Sequence, residues 1–238
     1  MAEESNCWEG VYQAKAEAET SWFEDHPQVS LDLIAVIGIS TNAAIVDVGA
    51  GASRLVDCLL DQGFHQVTVL DLSETALAKA RARLPTAAPV EWVVGNVLYW
   101  RPSRRFDVWH DRAAFHFLTE TADQDAYLRV MDQALLPGGH AIIGTFALDG
   151  PEKCSGLQVA RYDATRLSER LGKSYLLVQS LTHDHTTPWG SVQRFHFGLF
   201  RKALISGEGR SGQGLCPSHG TELSRGRGAM SLKTKTGQ

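Results

Sequence analysis

Five short runs rich in apolar and β-branched residues, "AAIVDVG", "HQVTVLDLS", "VEWVV", "RFDVWH" and "HAIIGTF", are interleaved with stretches whose apolar residues recur at helical spacing. No other feature constrains the fold so tightly. Strands joined through helical crossovers run parallel, and their sheet needs helices on both faces. The end of the pattern differs. "SYLLVQSLTHD" and "VQRFHFGLF" are separated only by about Thr186–Ser191, too short for a crossover, so they pair as an antiparallel hairpin. The expected fold is therefore α/β, a doubly wound, mostly parallel seven-stranded sheet with an antiparallel C-terminal hairpin.

The helical stretches have local signals. After Gly51, the residues Leu55, Val56, Leu59 and Leu60 form a stripe that Gly63 ends. Ser73 reads as an N-cap for a helix burying Ala76, Leu77, Ala80 and Leu84, and Tyr127, Val130, Met131 and Ala134 lead to the turn "PGG". Upstream, Val29, Leu33, Val36 and Ile37 suit a helix face ending near Gly38. Three segments are expected: a helical or lid segment over residues 1–40, a ligand-binding domain over 41–202, and a tail over 203–238. The tail is glycine-rich, lacks aromatic residues and shows no periodicity, a composition expected to stay disordered.

A net charge of −4 leaves no global footprint for nucleic acid or anionic lipid. No apolar run approaches the roughly 18 residues of a membrane span. The start "MAEESNCWEG" carries acids where a signal or transit peptide carries bases. Cys7, Cys58, Cys154 and Cys216 are scattered and read as free thiols. The expectation is a cytoplasmic protein with no membrane partner and no metal.

The ligand site is expected at the carboxyl ends of the strands, near the point where strand order reverses. There Gly49, Ala50 and Gly51 follow the first strand, and the glycines let the backbone turn and approach a ligand without an intervening Cβ. Asp71 closes the second strand twenty residues after Gly51, where an acid can accept hydrogen bonds from ribose hydroxyls. These residues favour a nucleoside-type ligand over a plain turn and helix cap. A dinucleotide fingerprint wants a third glycine where Arg54 stands. Asp47, just ahead of the glycines, suits a ligand carrying an ammonium and a sulfonium.

On these residues the chain resembles the class I S-adenosylmethionine-dependent methyltransferases over about residues 8–202. "VDVGAGAS" resembles that family's first motif, "VLDLSETALAKARAR" its second, and "LLPGGHAIIGTF" the region of its fifth strand. The resemblance implies a methyl donor, S-adenosylmethionine, with Asp47, Gly49, Ala50 and Gly51 facing its methionine part and Asp71 with Leu72 at the ribose. "GNV" at Gly95–Val97 is similar to the adenine-contacting turn, with Asn96 in place of the usual acid and Val97 beside it. An amide can still offer its oxygen to the adenine amino group.

The acceptor is open. "WHDRAAFHF" lacks the Asn/Asp-Pro-Pro-Tyr motif of base amino methylation. "WEGVY" and "SWF" resemble the N-terminal region of certain protein-lysine methyltransferases, whereas "WHDRA" resembles thiopurine and thiol methyltransferases. A small-molecule or protein side-chain nucleophile is therefore expected. Trp22 lids the cofactor or anchors the first helix. His110 emerges at the donor site, and Asp111, Arg112, Cys154 and Arg161 line the acceptor side. Arg112 orients an anionic group, and His116 is the candidate base, since an ordinary histidine titrates near about 6.5. His183 and His185 share a strand face but read as hydrogen-bonded histidines rather than metal ligands. The competing functions are a nicotinamide-dependent oxidoreductase and a catalytically inactive binding module.

Overall fold

The computed structural model describes residues 2–204. The expected tail lies outside the described residues from 205 onward, as does Cys216. Helices α1 (Ala2–Ala14) and α2 (Gln28–Ile37) precede β1 (Ile45–Val48), α3 (Leu55–Asp61), β2 (Val67–Asp71), α4 (Glu74–Ala82) and β3 (Val90–Val94). Then come β4 (Phe106–Arg112), α5 (Thr121–Ala134) and β5 (Leu135–Phe146). A small hairpin of β6 (Lys153–Cys154) and β7 (Leu157–Gln158), helix α6 (Ala164–Leu171), and β8 (Tyr175–Thr186) with β9 (Val192–Lys202) complete the order.

The described residues form a seven-stranded sheet in the order β3-β2-β1-β4-β5-β9-β8. The first five strands are parallel, and β9 runs antiparallel to both β5 and β8. Strand order reverses between β1 and β4, where a crossover leaves a crevice beyond the strand ends. The central strands β1, β2 and β4 are buried on both faces, and alternate residues divide between two cores. Val46, Trp109 and Ile143 pack with Tyr127 and Met131 on one face. Ile45, Val108 and Ile142 pack with Leu33, Leu55 and Leu59 on the other.

Local chemistry explains the helix ends. The Ser73 hydroxyl accepts the Ala76 N–H as the α4 cap, and Gly38 closes α2 at φ +71°. Two elements go beyond the sequence reading: α6 and the β6–β7 hairpin. Helix α2 is also rotated from the expected face. It buries Ser30, Leu31, Leu33 and Ile34, whereas Val36 is 54% exposed. A polar residue takes the inward position because it has a buried partner in the site.

Candidate functional site

The site begins where β1 ends. Gly49 and Gly51 adopt φ +64° and +56°, a region that side-chain-bearing residues avoid. Packing reinforces the choice, since a Cβ on Gly49 would strike the Ala114 methyl. At Gly51 the place of the missing Cβ is taken by the hydroxyl of Tyr12 from α1. Asp71 ties the loop to β2 by accepting the Gly51 N–H at 2.7 Å and the Ser73 N–H at 2.8 Å. Burial pushes the Asp71 carboxyl up to about 6, against the pull of those hydrogen bonds.

Beside the glycines, β1 and β4 place Asp47 and His110 in register. His110 Nδ1 lies 2.7 Å from Asp47 Oδ1, and Nε2 lies 2.8 Å from the Ser30 hydroxyl of α2. All three side chains are buried, and Asp47 Oδ2 has no hydrogen-bond partner. A cavity of about 40 Å³, lined by Tyr12, Trp22, Glu24, Asp47, His110 and Arg112 among others, opens against this row. It has room for water but not for a nucleoside.

The segment between α1 and α2 roofs the cavity and is fastened by charge. Glu24 lies 3.1 Å from Arg112 Nη2 and 3.2 Å from His185 Nδ1, with His183 at 4.0 Å. Arg112 donates to the Trp22 carbonyl at 3.0 Å, and His185 Nε2 sits 2.7 Å from the Ser21 carbonyl. Burial raises the Glu24 carboxyl, but the His185 hydrogen bond and the neighbouring Arg112, His185 and His183 charges offset it, leaving the pKa below its ordinary value. Trp22 packs edge-on to Trp8 at 5.8 Å and to Tyr12 at 6.1 Å between ring centroids. An aromatic cluster thus covers the glycine loop.

Of the residues singled out in the sequence, Asp47, Gly49, Ala50, Trp22, His110 and Arg112 line the cavity, and Asp71 and Gly51 meet beside it. Leu72 follows Asp71 directly. Asn96 caps a single 3₁₀ turn, Val97–Tyr99, its Oδ1 accepting the Leu98 N–H at 2.8 Å, so the oxygen expected to meet adenine already has a donor. Val97 packs against the core on the Trp109 side of the sheet.

Asp111 differs from expectation. Its neighbours His110 and Arg112 face the cavity, so strand alternation turns Asp111 to the other side. There it is fully buried and accepts the Tyr127 hydroxyl at 2.6 Å and the N–H groups of Ala114 and Phe115. It shapes the turn after β4 rather than an acceptor pocket. Burial raises its carboxyl to about 6.

His116 also departs from its expected role. It is fully buried between the Phe117 and Phe146 rings, at 4.5 and 4.9 Å. Burial, aided by the Arg112 charge, lowers its pKa to about 3, so it does not titrate near neutrality. Arg112 is spent on Glu24 and the Trp22 carbonyl instead of a free anion. Cys154 is buried, its thiol raised to about 11 by desolvation. Arg161 binds the Gly150 carbonyl and Glu152, clasping its own loop rather than entering the cavity. Tyr12, Glu24 and Ser30 are the site residues that sequence reasoning missed. "WEGVY" and "SWFED" mark the first two only as an aromatic segment, and Ser30 carries no signal.

Residues 45–139 match the methyltransferase domain family. Over that stretch, less than half of its length, the chain is similar to a methyltransferase domain. Nodulation protein S of Sinorhizobium fredii is 26% identical over 122 residues, covering 51% of this chain and 55% of that protein. The chain therefore matches only about half the length of that curated relative. Among solved structures, the 1,6-didemethyltoxoflavin-N1-methyltransferase of Burkholderia thailandensis is 25% identical, with a TM-score of 0.61 and 81% of each chain covered. The N-methyltransferase NodS of Bradyrhizobium japonicum shares the fold at 14% identity, with a TM-score of 0.60, 82% of this chain and 98% of that chain covered.

The stretch matched by the methyltransferase domain holds Asp47, the glycines, Asp71, Asn96 and the β4 end. It excludes Tyr12, Trp22, Glu24, Ser30 and Cys154. Among the described residues, no helix is long and apolar enough to cross a membrane, and no cluster of three His, Cys, Asp or Glu forms a metal site.

Proposed function

We propose that the chain is an enzyme that transfers a methyl group from S-adenosylmethionine to a small-molecule nucleophile. One observation carries the donor reading: at the strand crossover, a buried carboxylate oxygen without a partner, Asp47 Oδ2, stands beside two glycines at positive φ. A lone buried carboxylate oxygen is costly unless a cation completes it, and the ammonium of a methionine moiety is such a cation. Asp47 would hold that ammonium, Asp71 the ribose hydroxyls, and Asn96 with Val97 the base. When bound, the donor supplies an electrophilic methyl on a sulfonium.

The chain's own contribution is placement. Holding a nucleophile in line, about 3 Å from the reacting carbon, supplies a large part of the barrier reduction. With the donor bound, Trp22 and the covering segment would shield the reacting groups from bulk water. His116, buried and neutral, holds the turn after β4 and takes no proton. Small-molecule transfer is supported by the 1,6-didemethyltoxoflavin-N1-methyltransferase, whose name gives N1 of that compound as the methylated position. Nitrogen is accordingly the methylated atom we favour.

Calorimetry with S-adenosylhomocysteine and with NAD tests the donor. Binding of the first and no response to the second supports the proposal, and the reverse supports an oxidoreductase. A radiolabelled methyl donor offered to cell extract, fractionated into small molecules and protein, tests the acceptor. Label in protein would sink the small-molecule reading.

A further inference from the structure

Ser30, His110 and Asp47 form a row of three buried side chains from three elements, α2, β4 and β1. The row has a direction. An Asp47 carboxylate can only accept, so at 2.7 Å His110 Nδ1 carries the proton. In the neutral ring Nε2 is then an acceptor, and the Ser30 hydroxyl at 2.8 Å donates to it. The hydroxyl and the ring each point one way, and the row ends on Asp47 Oδ1. Its other oxygen, Oδ2, is the atom left without a partner.

The same order of groups activates serine nucleophiles elsewhere. Here the unpartnered atom is on the aspartate and not on the serine, so the row serves whatever meets Asp47. Arg112, whose guanidinium feels the Asp47 charge, is held by Glu24 at 3.1 Å and does not fill the position.

We infer that His110 and Ser30 are positioning residues that lock the Asp47 carboxylate with Oδ2 presented to the ammonium of the methyl donor. The inference rests on the donor reading above. Without the imidazole, Asp47 is free to turn about its terminal torsion, a broad and weakly restrained one, and Oδ2 loses its fixed place. Side chains that bind ligand are most effective when neighbours hold their rotamers.

The test uses the full chain and two ligands, S-adenosylhomocysteine and 5′-methylthioadenosine, which lacks the amino-acid part. In His110→Ala the Kd for S-adenosylhomocysteine should rise tenfold or more, while that for methylthioadenosine stays within twofold. His110→Asn, which retains an N–H donor, should recover part of the loss. Ser30→Ala should show a smaller rise with the same selectivity, and it decides the matter if His110→Ala does not fold. Equal weakening of both ligands would mean that the row only supports the fold, and the inference falls. Unchanged affinity for both in a folded variant overturns it as well. If the unaltered chain binds neither ligand, the donor reading itself is wrong and the inference goes with it. Binding of both by the unaltered chain, followed by either of the two preceding results, leaves the donor reading standing and removes only the positioning roles.

Discussion

Replacing His116 with asparagine should change how stability responds to acid, and by a calculable amount. The imidazole is buried and its pKa is lowered from 6.5 to about 3. Lowering the pH therefore loads a proton on the unfolded chain before the folded one, and stability is lost from about pH 6.5 down towards 3. Between pH 7 and pH 5 the linkage relation puts that loss at about 2 kcal/mol. The total for the unaltered chain is smaller. Asp71 and Asp111, both raised to about 6, take up protons in the folded state first and gain about 1.3 kcal/mol each over the same interval. The informative quantity is the difference between the two proteins. Asparagine keeps an acceptor near the Phe146 N–H, which His116 Nδ1 now meets at 3.4 Å. Any packing cost is the same at both pH values and cancels. Urea unfolding at pH 7 and pH 5 should show the stability advantage of the unaltered chain shrinking by about 2 kcal/mol at the lower pH. An advantage that stays constant would mean that the ring protonates as easily folded as unfolded. The reasoning about its burial would then be wrong, and a general base near neutrality would be back in contention.

Other perturbations test the rest of the site. Asp71→Ala should weaken S-adenosylhomocysteine binding roughly tenfold or more, since a charged hydrogen bond contributes about 1.5–3 kcal/mol; unchanged calorimetric affinity in a folded variant removes Asp71 from the site. Gly51→Ala places a side chain at φ +56° and against the Tyr12 hydroxyl. A cost of about 1–2 kcal/mol should lower the melting temperature by about 2–8 °C, and an unaltered melting curve would refute the strain. Glu24→Gln should cost about 1–3 kcal/mol by unpairing Arg112 and His185, seen as faster proteolysis within residues 1–27. Because the Glu24 pKa is lowered, its contribution is present above the ordinary carboxylate value of 4.5 and fades as pH falls through the lowered one. Acid-triggered cutting of that segment should thus occur in the unaltered chain and be absent as a separate step in the variant.

Much of this arrangement was legible from residue types. Turns at positive φ demand glycine, so Gly49 and Gly51 announce themselves, and an acid closing the next strand is visible as Asp71. The strand-and-helix alternation likewise specified the parallel sheet, and the short link at Thr186–Ser191 specified the hairpin. What stayed hidden depends on distant partners. Ser30 meets His110 across 80 positions, and Ser21 meets His185 across 164. Periodicity reports only which residues are neighbours along one element. It marked Val36 as inward and passed over Ser30 because it cannot register a hydrogen bond offered by another strand. Asp111 was misplaced for a related reason. β4 is buried on both faces, so no polar alternation tells which side His110 takes and which Asp111 takes. His116 was read as the candidate base because nothing local marks it as buried, but its carbonyl accepts the Ala160 N–H and the chain after β5 folds over it.

The Tyr12 hydroxyl resting in the hollow of Gly51 makes the protein its own competitor. Any ligand that comes as close to that backbone as the absent Cβ permits must first evict a side chain of the same molecule. The measured dissociation constant is then the intrinsic one divided by the fraction of molecules with α1 swung clear. If one molecule in a hundred is open, about 2.7 kcal/mol of intrinsic affinity goes unseen. Changes at Trp8, Tyr12 or Glu24 can thus tighten ligand binding without touching the ligand, by populating the open form. Association would slow to the pace of that opening and stop rising with ligand concentration.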